Sequence, residues 1–77
     1  KEELAEYEEL IRRLYEAISS LPPMQARRVH ARYMLGMKVK DIAAMEGITP
    51  SQAGKSIHAA LRRLRRYFAR QKWTVNL

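Results

Sequence analysis

The sequence has no cysteine and only three glycines and three prolines among its 77 residues. Without thiols it forms neither a disulfide framework nor a thiolate metal site, so nothing in it argues for secretion. Few helix breakers and an apolar fraction of 47% are typical of a helical globular protein rather than a disordered one. No apolar run approaches the roughly 20 residues of a membrane span, and no signal-peptide pattern opens the chain. We therefore expect a cytoplasmic protein with no membrane partner.

The usual marks of catalysis are also missing. There is no Gly-rich phosphate loop, no Ser/His/Asp arrangement and no metal-ligand spacing, so we predict no enzymatic activity, no cofactor and no metal. His30 has no partner in the sequence that would make it a ligand or a base. A partly buried structural histidine is the favoured interpretation of it.

The length allows one small domain, residues 1–77, which buries only roughly 60% of its unfolded surface. We predict an all-α fold: a small four-helix domain containing a helix-turn-helix and preceded by an amphipathic helix. Its parts are an acidic helix at 1–20, a helix-turn-helix unit at 21–72 and a tail at 73–77. We expect Trp73 to pack against the domain, with a tag or linker remnant as the alternative. The chain begins with Lys rather than Met, so we expect either a fragment or a processed form of a longer protein.

The net charge of +7 is unevenly distributed. Residues 1–16 hold six acidic and three basic side chains, a balance of −3, whereas residues 17–77 hold two acidic and twelve basic ones, a balance of +10. A basic segment that follows a short acidic N-terminal segment indicates a polyanionic partner. A surface that is merely rich in arginine is the alternative.

The clearest local signal is a turn at residues 46–50. Gly47 can end a helix in a left-handed conformation, and Thr49 can cap the next helix in a capping box with Gln52. Pro50 falls at the first helical position, where its missing N–H costs nothing. These signals predict a third helix from about Val39 to Glu46 and a fourth from Pro50 to about Arg70. Two helices joined by so short a turn form a helix-turn-helix, whose second helix can enter a DNA major groove.

The fourth helix is strongly two-sided. Its predicted core positions are Ala53, Ile57, Ala60, Leu61, Leu64 and Phe68. On the other side lie Ser51, Lys55, His58, Ala59, Arg62, Arg65 and Arg66. Seven basic and no acidic residues occur from Lys55 to Lys72. Gly54 costs roughly 1 kcal/mol relative to alanine. Close approach of DNA or of a neighbouring helix would explain it, and tolerated drift is the alternative.

The first helix has apolar residues at Leu4, Tyr7, Ile11, Leu14 and Ile18, continuing to Leu21. This spacing places a single apolar stripe on a helix that ends near Ser20, ahead of Pro22. We favour packing of the stripe on its own domain. A homodimer formed through Leu4, Tyr7, Ile11, Leu14 and Ile18 stays open as the alternative.

The second helix is predicted from Pro23 to about Leu35, with Gly36 ending it. Its inner side is Ala26, Val29, His30, Tyr33 and Met34, and its solvated side is Arg27, Arg28 and Arg32. The inner face of the third helix is Ile42, Ala43 and Met45. Lys38 stands where a serine or threonine would cap that helix, a weak cap that costs roughly 1 kcal/mol.

Several elements together resemble region 4 of the sigma-70 family of transcription factors, particularly short sigma-factor-like proteins. They span about Leu21 to Phe68: Leu21-Pro22, Tyr33 with Leu35-Gly36, Asp41-Ile42-Ala43, Gly47-Ile48-Thr49, Lys55-Ser56-Ile57-His58 and Ala60-Leu61-Arg62-Arg63-Leu64-Arg65. The resemblance implies a bacterial or phage-encoded, nucleoid-associated protein that reads a −35 promoter element in double-stranded DNA. It also implies docking on the β flap of RNA polymerase. The sequence departs from the family pattern at Lys38 and in the opening turns of the fourth helix.

The same resemblance assigns residues to roles. It implies base-edge contacts for Ser51, Gln52, Lys55 and Ser56, which fall in the turns that enter the groove. Phosphate contacts are expected for Lys38, Lys40, Thr49, His58, Arg62, Arg63 and Arg66. Lysine suits guanine O6 and N7, and glutamine suits adenine, although Gln52 has a competing task in the capping box.

Three functions remain in view. The first is a promoter-binding module that works with RNA polymerase. The second is a phage-type DNA-packaging module, as in small terminase subunits, or a recombination module. The third is a helical interaction module that contacts only protein, using the stripe from Leu4 to Leu21.

Overall fold

A computed structural model describes residues 2–71, and this part of the chain consists of helices and short turns without a strand. Helix α1 spans Glu2–Ser19, α2 spans Pro23–Val29, α3 spans Val39–Glu46 and α4 spans Pro50–Arg70. A π-helical turn, His30–Met34, continues α2. The predicted all-α class is therefore confirmed. Trp73 and the rest of the predicted tail lie outside the described residues.

The turn between α3 and α4 has the conformation that its residues predict. Gly47 is left-handed, with φ of 69°, and Ile48 N–H donates to Ala43 O at 3.0 Å, which closes the end of α3. The hydroxyl of Thr49 accepts from Gln52 N–H at 3.1 Å, while Gln52 Oε1 accepts from Thr49 N–H at 2.9 Å. Both halves of the capping box are therefore present, and α4 begins at Pro50 as predicted.

The end of the second helix differs from the predicted regular α-helix. Leu35 N–H donates to His30 O at 3.1 Å, a bond between residues five apart, which widens the last turn. The wider turn brings residues five apart to similar positions around the helix, so Met34 can join the buried Val29 at the core. Gly36 then ends the segment with φ of 71°, as predicted.

The core lies where α1, α2 and α4 meet. From α4 it takes Ala60, Leu64 and Phe68, and Leu64 is only 1% exposed. The remaining members are Ala17, Ile18, Leu21 and Val29. Ala53 and Ile57 of α4 are buried too, as are Ile42 and Ala43 of α3. Burial of this face confirms the predicted inner side of α4, with Leu61 half-buried at its edge.

Three assignments of faces were wrong. Tyr33 is 53% exposed rather than on the inner side of the second helix, because the π-helical turn brings Met34 and not Tyr33 beside Val29 at the core. Met45 is 76% exposed rather than part of the inner face, because Ile42 and Ala43 already fill the short contact of α3 and Met45 borders an open cleft instead. Arg28 is not on a solvated side: its side chain is only 14% exposed, because it turns toward the carboxylate of Glu46 at the end of α3.

Packing of α1 on its own domain holds for its second half. Ala17 and Ile18 are buried and Leu14 packs against the core, but Leu4 and Tyr7 are 63% and 61% exposed. The apolar stripe therefore continues beyond the surface that covers it. Glu9 accepts from Arg13 at 2.7 Å and also pairs with Arg12 on the solvated face.

Candidate nucleic-acid interface

Basic and polar side chains lie along one exposed side of α4. At 100° per residue, Ser51, Lys55, His58, Arg62 and Arg66 fall within an arc of about 80°. All five side chains are exposed, and Gln52 and Arg63 are exposed beside them. Because the core residues occupy the opposite side of the helix, this arc faces solvent over the whole length of α4. We call these seven residues the cationic face.

The sign of the charge on α4 is uniform. Residues 47–71 contain no aspartate or glutamate, whereas six lysines and arginines fall between Lys55 and Arg70. The N-terminal end of a helix adds a partial positive charge of its own. Basic side chains and the helix dipole therefore act in the same direction at the start of α4, which suits a polyanionic partner.

The start of α4 uses part of its hydrogen-bonding capacity within the chain. The Thr49 oxygen accepts from Gln52 N–H, but the hydroxyl proton of Thr49 is still available to donate. Gln52 Oε1 is occupied by Thr49 N–H, which leaves the side-chain amide NH₂ as a donor. Because an amide oxygen has two lone pairs, a bidentate pair between Gln52 and adenine would have Oε1 accept from the base as well as from Thr49 N–H.

Gly54 lies on α4 between the capped start and Lys55. Apart from the adjoining residues and backbone of α4 itself, an alanine β-carbon at this position would have no heavy atom within 4 Å. No neighbouring helix therefore requires a glycine here, which removes one of the explanations that the sequence offers.

The basic residues outside α4 are arranged differently. Lys38 and Lys40 are exposed at the start of α3, and Lys38 occupies the N-cap position without a side-chain capping bond, as predicted. Arg32 is instead turned toward its own segment. It donates to Met37 O at 3.3 Å, and its guanidinium carbon lies 5.5 Å from the centre of the Tyr33 ring.

Ser56 differs from the other candidate base-contact residues. It is half-buried, and its hydroxyl oxygen accepts from Arg28 Nη1 at 2.9 Å. Arg28 also donates through Nε and Nη2 to Oε1 of Glu46, at 2.9 Å and 2.7 Å. The hydrogen bond from Arg28 is the main reason that the pKa of Glu46 lies below its usual value, against the opposing effect of burial.

Sequence reasoning missed this three-residue cluster because its members are 18 and 28 positions from Arg28. One signal was available: Asp41 and Glu46 are the only acidic residues after residue 16. A carboxylate among so many cations is a natural partner for one of them.

Other site types find little support in the described residues. His30 is half-buried, with its ring 6.1 Å from that of Tyr15, in agreement with a structural histidine. Within residues 2–71 there is no group of three or more His, Cys, Asp or Glu side chains that could hold a metal ion. None of the helices in that range has the length and hydropathy needed to cross a bilayer.

Comparison with known families agrees with this geometry. The family model described as Sigma-70, region 4 matches residues 11–64, which is well over half of the chain. Among curated proteins and solved structures, none matches. Region 4 domains are DNA-binding modules of transcription and are not catalytic. With its capped helix-turn-helix and its cationic face within or just beyond the matched segment, the chain belongs to the sigma-70 region 4 family.

Proposed function

We propose that α4 is a recognition helix that enters the major groove of a −35-like promoter element during transcription initiation. The observation that carries this proposal is the exposed cationic face, which starts at a capped helix end and contains no acidic residue. In this arrangement Ser51, Gln52 and Lys55 lie among the base edges. The phosphate contacts are His58, Arg62, Arg63 and Arg66, with Thr49 at the helix start and Lys38 and Lys40 flanking.

The length of α4 supports this division of roles. A rise of 1.5 Å per residue separates Ser51 from Lys55 by about 6 Å, which fits within a major groove about 12 Å wide. Arg66 lies about 16 Å beyond Lys55 along the axis, further than the groove is wide. The arginines therefore reach the backbone at the groove edge, where contacts supply affinity without sequence information.

RNA polymerase is the partner that we propose for this module, through the β flap. The domain has a suitable apolar surface in a cleft of about 270 Å³ formed by α2, the π-helical turn and α3. Leu35 and Met45 at this cleft are 64% and 76% exposed. No residue of α4 lines it, so DNA and a protein partner could be held at the same time. Met45→Ser should lower capture of polymerase and leave binding to random duplex DNA unchanged.

Selection of bound sequences from a random duplex pool, with and without polymerase, tests the proposed function. We expect enrichment of a defined site that is stronger when polymerase is present. Neutralising about four to six phosphates should give a slope of roughly −4 to −5 when log K is plotted against log salt. A slope near zero would reject DNA binding. An enriched site that is indifferent to polymerase would instead favour packaging or recombination.

The exposed half of α1 supports a further proposal about assembly, namely that two copies pair through it. Leu4 and Tyr7 are uncovered, and the stripe to which they belong is continuous with the core. Residues 2–9 carry five glutamates, whereas Arg12 and Arg13 follow them. Antiparallel pairing would place the acidic end of one helix beside the arginines of the other, which a parallel pair would not do.

A further inference from the structure

We infer that Arg28, Glu46 and Ser56 form a positioning clamp that fixes the direction of α4 relative to α3. The inference rests on the proposed DNA binding, because its consequence is the alignment of the recognition helix in the groove. Arg28 belongs to α2, Glu46 is the last residue of α3, and Ser56 lies in the second turn of α4. One guanidinium therefore bonds to both helices of the helix-turn-helix.

The geometry of the clamp is directional. Nε and Nη2 of Arg28 both donate to one carboxylate oxygen of Glu46, and Nη1 donates to the hydroxyl oxygen of Ser56 at 2.9 Å. A planar guanidinium holds such partners in a fixed fork, which an ammonium group does not. The side chains of Arg28 and Glu46 are 14% and 15% exposed, so water screens the pair only weakly.

The clamp spans the turn between α3 and α4, so it affects the angle at which the proposed recognition helix is held. Between Glu46 and Ser56 lies the turn, where Gly47 is left-handed and has no side chain to limit its movement. The capping box fixes where α4 begins, but it does not fix the angle between α4 and α3. Apolar packing is non-directional, whereas the clamp ties both sides of the turn to α2.

Ser56 consequently acts through Arg28 rather than on a base. Its oxygen already accepts a charged donor, and the residue is half-buried. It adjoins Lys55 in the chain, so an error in the placement of Ser56 shifts Lys55 with it. The contribution of Ser56 to specificity is then the alignment of Lys55.

The main test compares Glu46→Ala with Glu46→Gln in the full chain. Both variants remove the same negative charge, but glutamine keeps an oxygen that can accept from Arg28. Loss of a negative charge should strengthen binding to random duplex DNA. We expect Glu46→Ala to lower the ratio of specific to non-specific affinity by roughly tenfold, about the effect of one lost base contact. Glu46→Gln should retain more of that ratio.

Glu9→Ala is the matched control, because it breaks an ion pair on α1, away from the turn. It should leave the ratio at the wild-type value. If Glu46→Ala and Glu46→Gln keep the wild-type ratio as well, the clamp is not a positioning device. A purely stabilising pair would lower the melting temperature of Glu46→Ala without changing the ratio measured where the variant is folded.

Ser56→Ala is a second variant that leaves the Arg28–Glu46 pair in place. It should also lower the ratio, and the double variant with Glu46→Ala should show no further loss, because both changes break one unit. Additive losses, or a changed preferred base for Ser56→Ala alone, would assign Ser56 to base contact and overturn its place in the clamp.

A distance measurement separates the clamp from DNA binding. The chain lacks native cysteine, so spin labels on Ala44→Cys and Ala69→Cys report the distance between α3 and α4. We expect a narrow distribution in the wild type and a broad one in Glu46→Ala. An unchanged distribution would refute the clamp even if DNA is bound. A wild type that binds no duplex DNA would refute the proposed function, while broadening in Glu46→Ala would still support the clamp.

Discussion

Arg28 Nη2 lies 2.7 Å from Oε1 of Glu46, across 18 residues of sequence, and it joins α2 to the end of α3. The hydrogen bond from Arg28 lowers the pKa of Glu46, burial raises it, and the charges of Arg28 and Arg27 lower it again. The net effect is a pKa below the ordinary value of 4.5. The folded state therefore holds the ionised form of Glu46 more strongly than the unfolded chain does.

This shift gives the stability a pH dependence with a definite sign. Because the folded pKa is depressed, the contribution of Glu46 is complete above its unfolded pKa and is lost as the pH falls through the folded one. We expect the free energy of unfolding to fall as the pH drops below the unfolded pKa of Glu46 and through the lower folded one. Denaturant titrations followed by circular dichroism should show a shallower decline for Glu46→Gln than for the wild type. Parallel curves would contradict the assignment.

Two kinds of sequence signal, the turn-forming residues and the helical periodicity, explain which features of α4 could be predicted. The start of α4 depends on Gly47, Thr49 and Pro50, whose effects are local and act within one turn. The buried side of α4 follows from periodicity, which twenty-one residues define well. Both were therefore predictable.

The errors concern long-range partners. Nothing within one turn of Arg28 indicates that its charge is met by Glu46, because that pairing depends on how α2 packs beside α3. For the same reason, periodicity could not show that Met45 faces an open cleft. Nor could it show that the domain core covers only the second half of α1 and leaves Leu4 exposed. The placement of the candidate DNA contacts along α4 follows from the helix itself, whereas the bond from Arg28 to Ser56 required the fold.

The uncovered half of α1 gives a prediction about mass in solution. If two copies pair through this stripe, sedimentation equilibrium should give a mass near twice 9.0 kDa for the wild type. Leu4→Glu and Tyr7→Glu should shift it to the monomer, because each places a charge in an apolar contact. Ala5→Glu adds the same charge on the side of α1 away from the stripe and should leave the dimer intact. A wild type that sediments as a monomer at all concentrations would reject the pairing.

Gly54 gives a prediction about stability. A methyl group at this position meets no heavy atom within 4 Å apart from the adjoining residues and backbone of α4, and glycine inside a helix costs up to about 1 kcal/mol relative to alanine. Gly54→Ala should therefore raise the free energy of unfolding by about 0.4–1 kcal/mol. Ala59→Gly, on the same helix, should lower it by a similar amount. If Gly54→Ala is destabilised, the residue serves a local need that its open surroundings do not show.

Lys55 and Arg62 lie about 10 Å apart along the cationic face, and the proposed function gives them different tasks. Lys55→Ala removes a donor from the groove, so it should relax the preference for one base pair, with a cost of about 1–3 kcal/mol on the selected site. Arg62→Ala removes a phosphate contact, so it should weaken all duplexes alike and reduce the magnitude of the salt slope by about one. Titrations of both variants against the selected site and a scrambled duplex at several salt concentrations separate these effects. Because each variant loses one positive charge, their difference cannot come from net charge. Equal losses on both duplexes for both variants would mean that α4 binds backbone along its whole length and reads no sequence through Lys55.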